Sequence, residues 1–351
     1  MSDKTIDMYT DFQAPLQLTN GLTMTMHAAL RAGRTWEKYT VEAEPIDQEH
    51  VFSGANGVPI YGRVSIPENP RGTIVATYGI TGTLDNQWFL KALRRKAYAQ
   101  GWAVVVFDWR AHGQTALLSP QLTSDGIYEG EDFLRIAAQA KALGCPAPFW
   151  LSGYSLGGQL ALWGIKQAPA LSATIGLEDQ DIAGGFVICP SLESDRSLTY
   201  LVNHPIKSIL ENRIAKGLKK LAWQLHAAHP QDFDPAAIDR ANSIEGFDRE
   251  LVIPRLGFTT VKDYYLATSP LYFLDKLTLP TLIIYAADDP LFEPSLANEL
   301  GAIAQQQPAI DLILTKQGGH VGYISNTACQ QQYLDTDPWW AWNRALEWVQ
   351  K

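Results

Sequence analysis

The chain has 351 residues, of which 46% are hydrophobic and 19% are charged, and its formal net charge is -9 at pH 7. This length and apolar content predict a globular protein with a large core, enough for one α/β domain and an insertion. The negative charge and the absence of a Lys/Arg block argue against a nucleic-acid groove or an anionic membrane surface. No apolar run is long enough to cross a bilayer, so we expect no integral membrane segment.

The first residues and the cysteines indicate the cellular compartment of the protein. Residues 1–7 show neither a basic start nor an apolar stretch, so we expect no signal peptide and a cytoplasmic location. Cys145, Cys189 and Cys329 form an odd, widely spaced set, which is typical of buried free thiols in a reducing compartment. Paired CxxC, HExxH and EF-hand patterns are absent from the sequence, so we expect no metal and no cofactor.

The chain begins with an arm, residues 1–37, that has little periodicity. Alternating segments at 39–43 and 60–66, around a turn at 54–57, predict an antiparallel start. Strands and helices then alternate, which predicts right-handed crossovers and a mostly parallel sheet with helices on both faces. The predicted strands are 73–78, 102–108, the apolar run from Phe149, 185–189, 281–286 and 310–314, and the main predicted helices are 88–100, 129–143, 295–305 and 338–350.

This alternation lapses between the predicted strands at 185–189 and 281–286. The interval contains helical, lysine-bearing segments and turn-rich stretches instead of buried strands. We therefore expect a helical cap insertion at 191–277, with residues 38–190 and 278–351 forming one core.

A Gly153-Tyr154-Ser155-Leu156-Gly157 stretch fits the pattern G-x-S-x-G. Such a pattern also occurs in ordinary Gly/Ser turns. Here an apolar run precedes it and an apolar helical pattern follows it, which favours a strained strand-turn-helix that exposes a nucleophilic serine. Ser155 is the candidate nucleophile.

A serine nucleophile needs a histidine base and a carboxylate that orients it. His320 is the candidate base, because it lies in a glycine-flanked loop beyond the last predicted strand. His112, His204, His226 and His229 are interpreted as structural or solvated. Asp288 and Asp289 both follow the strand 281–286, and periodicity does not choose between them.

Two further groups of residues complete the candidate site. An oxyanion hole needs two backbone N–H groups, which we assign to Leu156, after the nucleophile, and Ile80, in a Gly-rich loop, with Thr81 in reserve. That loop lacks the lysine of a phosphate-binding loop. Trp88, Phe89 and Tyr154 are candidates for an apolar acyl pocket, and core packing is the equally weighted alternative.

These motifs together resemble the α/β-hydrolase superfamily, most closely its YheT-like esterase branch. The resemblance rests on 79–82, 108–113, 153–158, 288–290 and 318–322, which occur in the family's order from about residue 40 onward. It implies that the acid lies four residues past Tyr285, at Asp289, with Asp288 as the alternative. It also implies a cap over the site. One departure is Tyr78, where the family usually has a histidine, although a tyrosine can also brace this loop through a hydrogen bond.

The function expected from these residues is hydrolysis of a small-molecule carboxylic ester through an acyl-enzyme. Acyl transfer and thioester hydrolysis are alternatives, because they use the same residues and differ in the acceptor or the leaving group. A catalytically silent binding protein is a further alternative, which an intact triad disfavours.

Overall fold

The computed structural model of the protein describes residues 10–204 and 207–351. They fold around an eight-stranded sheet with the order β1-β2-β4-β3-β5-β6-β7-β8. Pairs β1·β2 and β2·β4 are antiparallel and the other neighbouring pairs are parallel, so the predicted mostly parallel α/β sheet is confirmed. The strands are β1 (Gln48–Ser53), β2 (Pro59–Ser65), β3 (Thr73–Thr77), β4 (Ala103–Phe107), β5 (Phe149–Tyr154), β6 (Ile182–Ile188), β7 (Thr281–Ala286) and β8 (Ile310–Thr315).

Helices cover both faces of this sheet. Successive side chains of a strand point to opposite faces. On β5, Trp150 packs against Trp348 with ring centroids 5.2 Å apart, whereas Leu151 faces Gly164. The α-helices are α1 (Gly21–His27), α2 (Gly33–Thr35), α3 (Trp88–Ala99), α4 (Thr115–Leu118), α5 (Ile127–Ala142), α6 (Leu156–Leu171), α7 (Ser194–Asn203), α8 (Ser208–Ala228), α9 (Pro235–Arg240), α10 (Ile244–Phe247), α11 (Ile253–Leu256), α12 (Val261–Thr268), α13 (Ser295–Gln306), α14 (Thr327–Tyr333) and α15 (Trp340–Trp348).

The antiparallel start differs from the prediction. The turn at 54–57 is correct, but its first strand is β1, and residues 39–43 form no strand. The alternation at 39–43 does not mark a strand with a buried apolar face, because its apolar residues Tyr39 and Val41 are exposed. Thr40, between them, is buried and accepts a hydrogen bond from the Trp339 indole. Only β1 lies close enough in sequence to pair with β2 through that short turn.

The N-terminal arm contains a helix that the sequence analysis missed. Helix α1 begins after Asn20, whose side chain accepts from the N–H groups of Leu22 and Thr23. Buried Met24 and Ala28, four residues apart, turn one face of this segment toward the core. A helix here could have been predicted from an N-cap residue, Asn20, followed by apolar residues four positions apart. The first nine residues of the predicted arm lie outside the described residues.

The interval between β6 and β7 is helical, from α7 to α12. Its apolar side chains form a second cluster, separate from that of the sheet. This cluster also includes Ala111 and Leu122 from loops of the core and Ala116 from α4. The lysine-bearing helical stretch that the sequence predicts at 206–225 corresponds to α8, and its first residue, Ile206, lies outside the described residues. No helix in the described part of the chain has the length and hydropathy needed to cross a membrane.

Candidate active site

Ser155 occupies the sharp turn between β5 and α6. Its backbone has φ 56° and ψ -131°, a conformation that is strained for a residue with a Cβ. The flanking glycines permit this turn: a Cβ at Gly153 would lie 2.1 Å from the Gly157 carbonyl oxygen, and a Cβ at Gly157 would lie 2.4 Å from the Tyr78 carbonyl oxygen. The turn therefore depends on glycine at both positions.

The structure brings Ser155, His320 and Asp289 into one hydrogen-bonded chain. The Ser155 hydroxyl lies 2.8 Å from His320 Nε2, and His320 Nδ1 lies 2.8 Å from Asp289 Oδ2. A carboxylate can only accept, so Nδ1 carries the proton and Nε2 is free to accept from the serine. This is the tautomer that a general base needs.

The two aspartates after β7 have different partners. Asp289 is buried, and its second oxygen accepts from the Leu291 N–H at 2.9 Å. Asp288 instead accepts from the Gly319 N–H at 2.9 Å, and burial is the main cause that raises its pKa to about 6. Asp289 therefore contacts the imidazole of His320, whereas Asp288 contacts the backbone of the loop that carries His320.

The loop after β3 lies beside the serine hydroxyl. A Cβ at Gly79 would lie 3.2 Å from Ser155 Oγ, which shows how closely the loop after β3 approaches the serine. The Thr81 N–H donates to His112 Nε2 at 3.1 Å. Those of Ile80 and Leu156 have no protein acceptor among the described residues, and both residues border the cavity over Ser155.

Buried polar side chains brace this loop. His112 stacks on Trp109, and burial lowers its pKa to about 4, so the ring is neutral at pH 7. Its Nδ1–H donates to the Arg110 carbonyl, which leaves Nε2 as the acceptor for Thr81. The Tyr78 hydroxyl donates to Asp108, whose carboxylate also accepts from the Leu84 N–H. Tyr78 therefore supports the loop in place of a histidine.

His226 and His229, interpreted as structural or solvated, have partners outside this chain of hydrogen bonds. The rings of His226 and His229 contact the backbone carbonyls of Phe233 and Ala116. No group of three or more His, Cys, Asp or Glu residues in the described ranges could hold a metal ion.

A cavity of about 130 Å³ opens over Ser155. Its walls are mostly apolar, and helices α7, α8 and α10 of the segment between β6 and β7 supply much of them. The apolar residues that line it from these helices are Leu198, Leu201, Ile214, Leu218, Leu221, Ile244 and Phe247. The core adds Ile80, Leu156 and Phe292, and the Phe292 ring also meets the His320 ring edge to face at 5.2 Å.

The candidate acyl-pocket residues Trp88, Phe89 and Tyr154 lie away from this cavity, which favours the core-packing alternative. Trp88 and Phe89 stack with ring centroids 3.8 Å apart, and Phe89 packs against Tyr154 and Trp342. None of the three borders the cavity. They belong to the core packing between α3 and α15, because β5 directs the Tyr154 side chain to that face of the sheet.

Two buried carboxyl groups at the cavity were not anticipated. Asp125 comes from the loop before α5, and Asp248 follows α10. Asp248 accepts from the Tyr265 hydroxyl, and Asp125 accepts from the Thr123 hydroxyl at 3.2 Å. Burial raises the pKa of Asp125 to about 7, with Glu129 adding to the effect, and burial and Asp125 raise that of Asp248. Sequence patterns carried no signal for this pair, because it joins separate elements.

Several proteins of known sequence are similar to this chain. The Synechocystis sp. protein slr0264, provisionally named an esterase, is 50% identical over 346 residues, covering 96% of this chain and 94% of its own. The mouse phospholipase ABHD3 is 27% identical over 272 residues, covering 77% of this chain and 63% of its own. YheT of Escherichia coli K12, also provisionally named an esterase, is 26% identical over 292 residues, covering 80% of this chain and 79% of its own.

A solved structure and a family model give the same fold. The Pyrococcus horikoshii acylaminoacyl peptidase superposes with a TM-score of 0.53 at 14% identity, covering 90% of this chain and 42% of the peptidase. A model of the alpha/beta hydrolase family matches residues 81–329. With this match and the 50% identical relative, the chain belongs to the alpha/beta hydrolase family, and its resemblance to the YheT-like esterases is confirmed.

Proposed function

We propose that the protein is a serine hydrolase that cleaves carboxylic esters through an acyl-enzyme. The observation that carries this proposal is the hydrogen-bonded chain from Ser155 through His320 to Asp289, with 2.8 Å at each link. An intact chain of this kind also argues against a silent binding protein. The esterase and phospholipase names of the relatives support an ester as substrate.

In the proposed mechanism, Ser155 Oγ attacks the ester carbonyl while His320 Nε2 takes its proton. Asp289 holds the imidazole in the Nδ1–H tautomer and stabilises the imidazolium. The N–H groups of Ile80 and Leu156 donate to the oxyanion, and the start of helix α6 adds favourable dipole potential. Because Thr81 already donates to His112, Ile80 is the better second donor.

Collapse of the first tetrahedral intermediate breaks the bond to the alcohol oxygen. His320 returns its proton to that oxygen, and the alcohol leaves the acyl group on Ser155. A water molecule then enters and gives a proton to His320 as it attacks the acyl carbonyl. The second collapse releases the carboxylic acid and restores the serine.

The cavity supports a medium-sized apolar acyl group. A cavity of roughly 150 Å³ lined by apolar side chains holds benzene, so the observed 130 Å³ suits an acyl chain of about six carbons. We infer that residues 191–277 act as a cap that selects this chain, because α7, α8 and α10 line the cavity. Three buried free cysteines support a reducing, cytoplasmic location.

A Ser155→Ala variant tests the nucleophile. The wild-type protein should react covalently with a fluorophosphonate at Ser155, as mapped by mass spectrometry, and should hydrolyse p-nitrophenyl esters. The variant should not be labelled, and its kcat should fall by several orders of magnitude, because the hydroxyl that forms the acyl-enzyme is gone.

Ser152→Ala is the matched control for this test. Ser152 is buried on β5, three residues before the proposed nucleophile, and its hydroxyl has no partner among the described residues. This variant should keep both labelling and activity. Labelling at another residue, or activity that survives in purified Ser155→Ala protein, would refute the proposed function.

A further inference from the structure

The loop that carries His320 contains several residues in left-handed backbone conformations. Gly318 and Gly319 have φ of 157° and 59°, and Val321 and Tyr323, which are not glycines, also have positive φ. Such conformations persist only when surrounding contacts hold them. The Tyr323 N–H donates to the Gly318 carbonyl within the loop at 3.1 Å, and groups outside the loop hold it as well.

Helix α1 supplies one of these groups. The backbone N–H of His320 donates to Thr25 Oγ1 at 2.8 Å, across 295 positions of sequence. The Thr25 hydroxyl in turn donates to the Gly21 carbonyl at 2.7 Å. Its one proton is thus committed to the helix, which leaves an oxygen lone pair directed at His320.

The contact between α1 and the loop is close on two sides. A Cβ at Gly319 would lie 2.6 Å from the Gly21 carbonyl oxygen and 2.8 Å from Thr25 Oγ1. A Cβ at Gly21 would lie 1.9 Å from the carbonyl oxygen of Asp288. Helix α1 therefore packs against the loop of the histidine and the loop of the aspartates together.

The start of α1 is itself fixed. Asn20 caps the helix by accepting from the Leu22 and Thr23 N–H groups at 3.1 and 3.3 Å. Buried Met24 anchors the same turn, since a Cβ at Gly322 would lie 2.4 Å from Met24 Cγ. The hydroxyl that meets His320 is therefore presented by an anchored element.

We propose that Thr25 is a positioning residue for His320, and that the N-terminal helix α1 is part of the active-site machinery. Thr25 does not touch the substrate. It fixes the backbone of the base, so that Nε2 stays within hydrogen-bond distance of Ser155 during both proton transfers. This inference rests on the proposed function, and it concerns a segment that precedes the part matched by the family model.

The test compares four full-length variants. Thr25→Val keeps the shape of the side chain and removes the hydroxyl, Thr25→Ala removes it without a branched side chain, and Thr25→Ser retains it. Thr35→Val is the matched control, because the Thr35 hydroxyl donates to the carbonyl four residues earlier, at Arg31, without meeting the site. For each, kcat and KM on a p-nitrophenyl ester and the rate of fluorophosphonate labelling are measured.

Thr25→Val and Thr25→Ala should lower kcat and the labelling rate by about 10- to 100-fold, the loss expected when a catalytic group is displaced by about 1 Å. KM should stay unchanged, because the cavity is intact. Thr25→Ser should restore kcat, and Thr35→Val should match the wild type. A general structural defect would not give this separation of kcat from KM or the rescue by serine.

Wild-type kcat in Thr25→Ala would overturn the inference, whether or not Thr25→Val folds. So would a Thr25→Ser protein as impaired as Thr25→Ala. These outcomes differ from a failure of the proposed function, in which the wild-type protein itself is neither labelled at Ser155 nor active on esters.

Discussion

The sheet and the helical segment between β6 and β7 bury different kinds of groups. Strands β3, β4 and β7 are buried along their whole length, and the interior-facing side chains are mainly apolar. The helical segment has its own apolar cluster, but it also meets the core through the buried carboxyl pair of Asp125 and Asp248. A close-packed sheet holds the loops at its strand ends in one geometry. The stability of an interface that buries ionisable groups, in contrast, depends on pH.

This difference suggests a division of roles. The proposed nucleophile, base and acid all follow core strands, at the carboxyl ends of β5, β8 and β7. Much of the apolar wall over Ser155 comes from the helical segment. We therefore expect changes near the strand ends to alter the rate for every ester, and changes in the helical segment to alter the choice among esters.

The largest effect expected in this comparison concerns the two aspartates at the end of β7. Asp289→Asn should lower kcat by roughly 10⁴, because an amide facing Nδ1 favours the wrong imidazole tautomer. Asp288→Asn is the matched control and should cost less than about tenfold, because an asparagine oxygen can still accept from the Gly319 N–H. Steady-state kinetics on one ester measures both, and reversed severity would move the acid to Asp288.

A smaller effect is expected from the cavity wall. Leu218→Ala should raise kcat/KM by roughly tenfold for an ester a few carbons longer than the wild-type optimum, because it extends the apolar space over Ser155. Leu225→Ala is the control, since Leu225 is buried in the same cluster two turns along α8 but does not line the cavity. A panel of p-nitrophenyl esters measures the profile. The same shift in both variants, or in neither, would contradict a selective wall.

The smallest effect is the pH dependence of stability at the carboxyl pair. The pKa of Asp125 is about 7 in the folded protein, against roughly 3.9 for an unperturbed aspartate. With the folded pKa raised, its contribution to stability is fully present below the unfolded pKa and is lost as pH rises through about 7. Asp125 should therefore lower the free energy of unfolding by about 1 kcal/mol between pH 6 and pH 8.

Urea unfolding at these two pH values measures this loss. Asp125→Asn should reduce this loss of stability, because an amide does not ionise. Asp232→Asn is the control, at an exposed aspartate, and should leave the loss unchanged. An equal loss of stability with pH in all three proteins would show that Asp125 does not titrate in this range.

Much of the fold could be predicted from local sequence. Continuous apolar runs identify strands buried on both faces, and the G-x-S-x-G context and the glycine-flanked His320 identify the strand ends that meet. Contacts between distant segments could not be predicted this way. The Thr25–His320 hydrogen bond spans 295 positions, and the pairing of Asp125 with Asp248 depends on how the helical segment packs on the core.

The lining of the acyl pocket also could not be predicted from local sequence. Aromatic residues at 88, 89 and 154 are close to the motifs in sequence, but strand alternation turns Tyr154 away from the cavity and toward α3. The apolar wall instead comes from helices α7, α8 and α10, whose apolar periodicity predicts a buried face without saying what that face covers.

The rates at which two alkyl fluorophosphonates label Ser155 test the division of roles most directly. One probe carries a chain of about six carbons, to match the cavity, and the other a chain a few carbons longer. Asp289→Asn should slow both probes by the same factor, so the ratio of the two rates stays at the wild-type value. Leu218→Ala should raise the rate for the longer probe relative to the shorter one. A changed ratio in Asp289→Asn, or an unchanged ratio in Leu218→Ala, would contradict the assignment of catalysis to the strand ends and of chain selection to the helical segment.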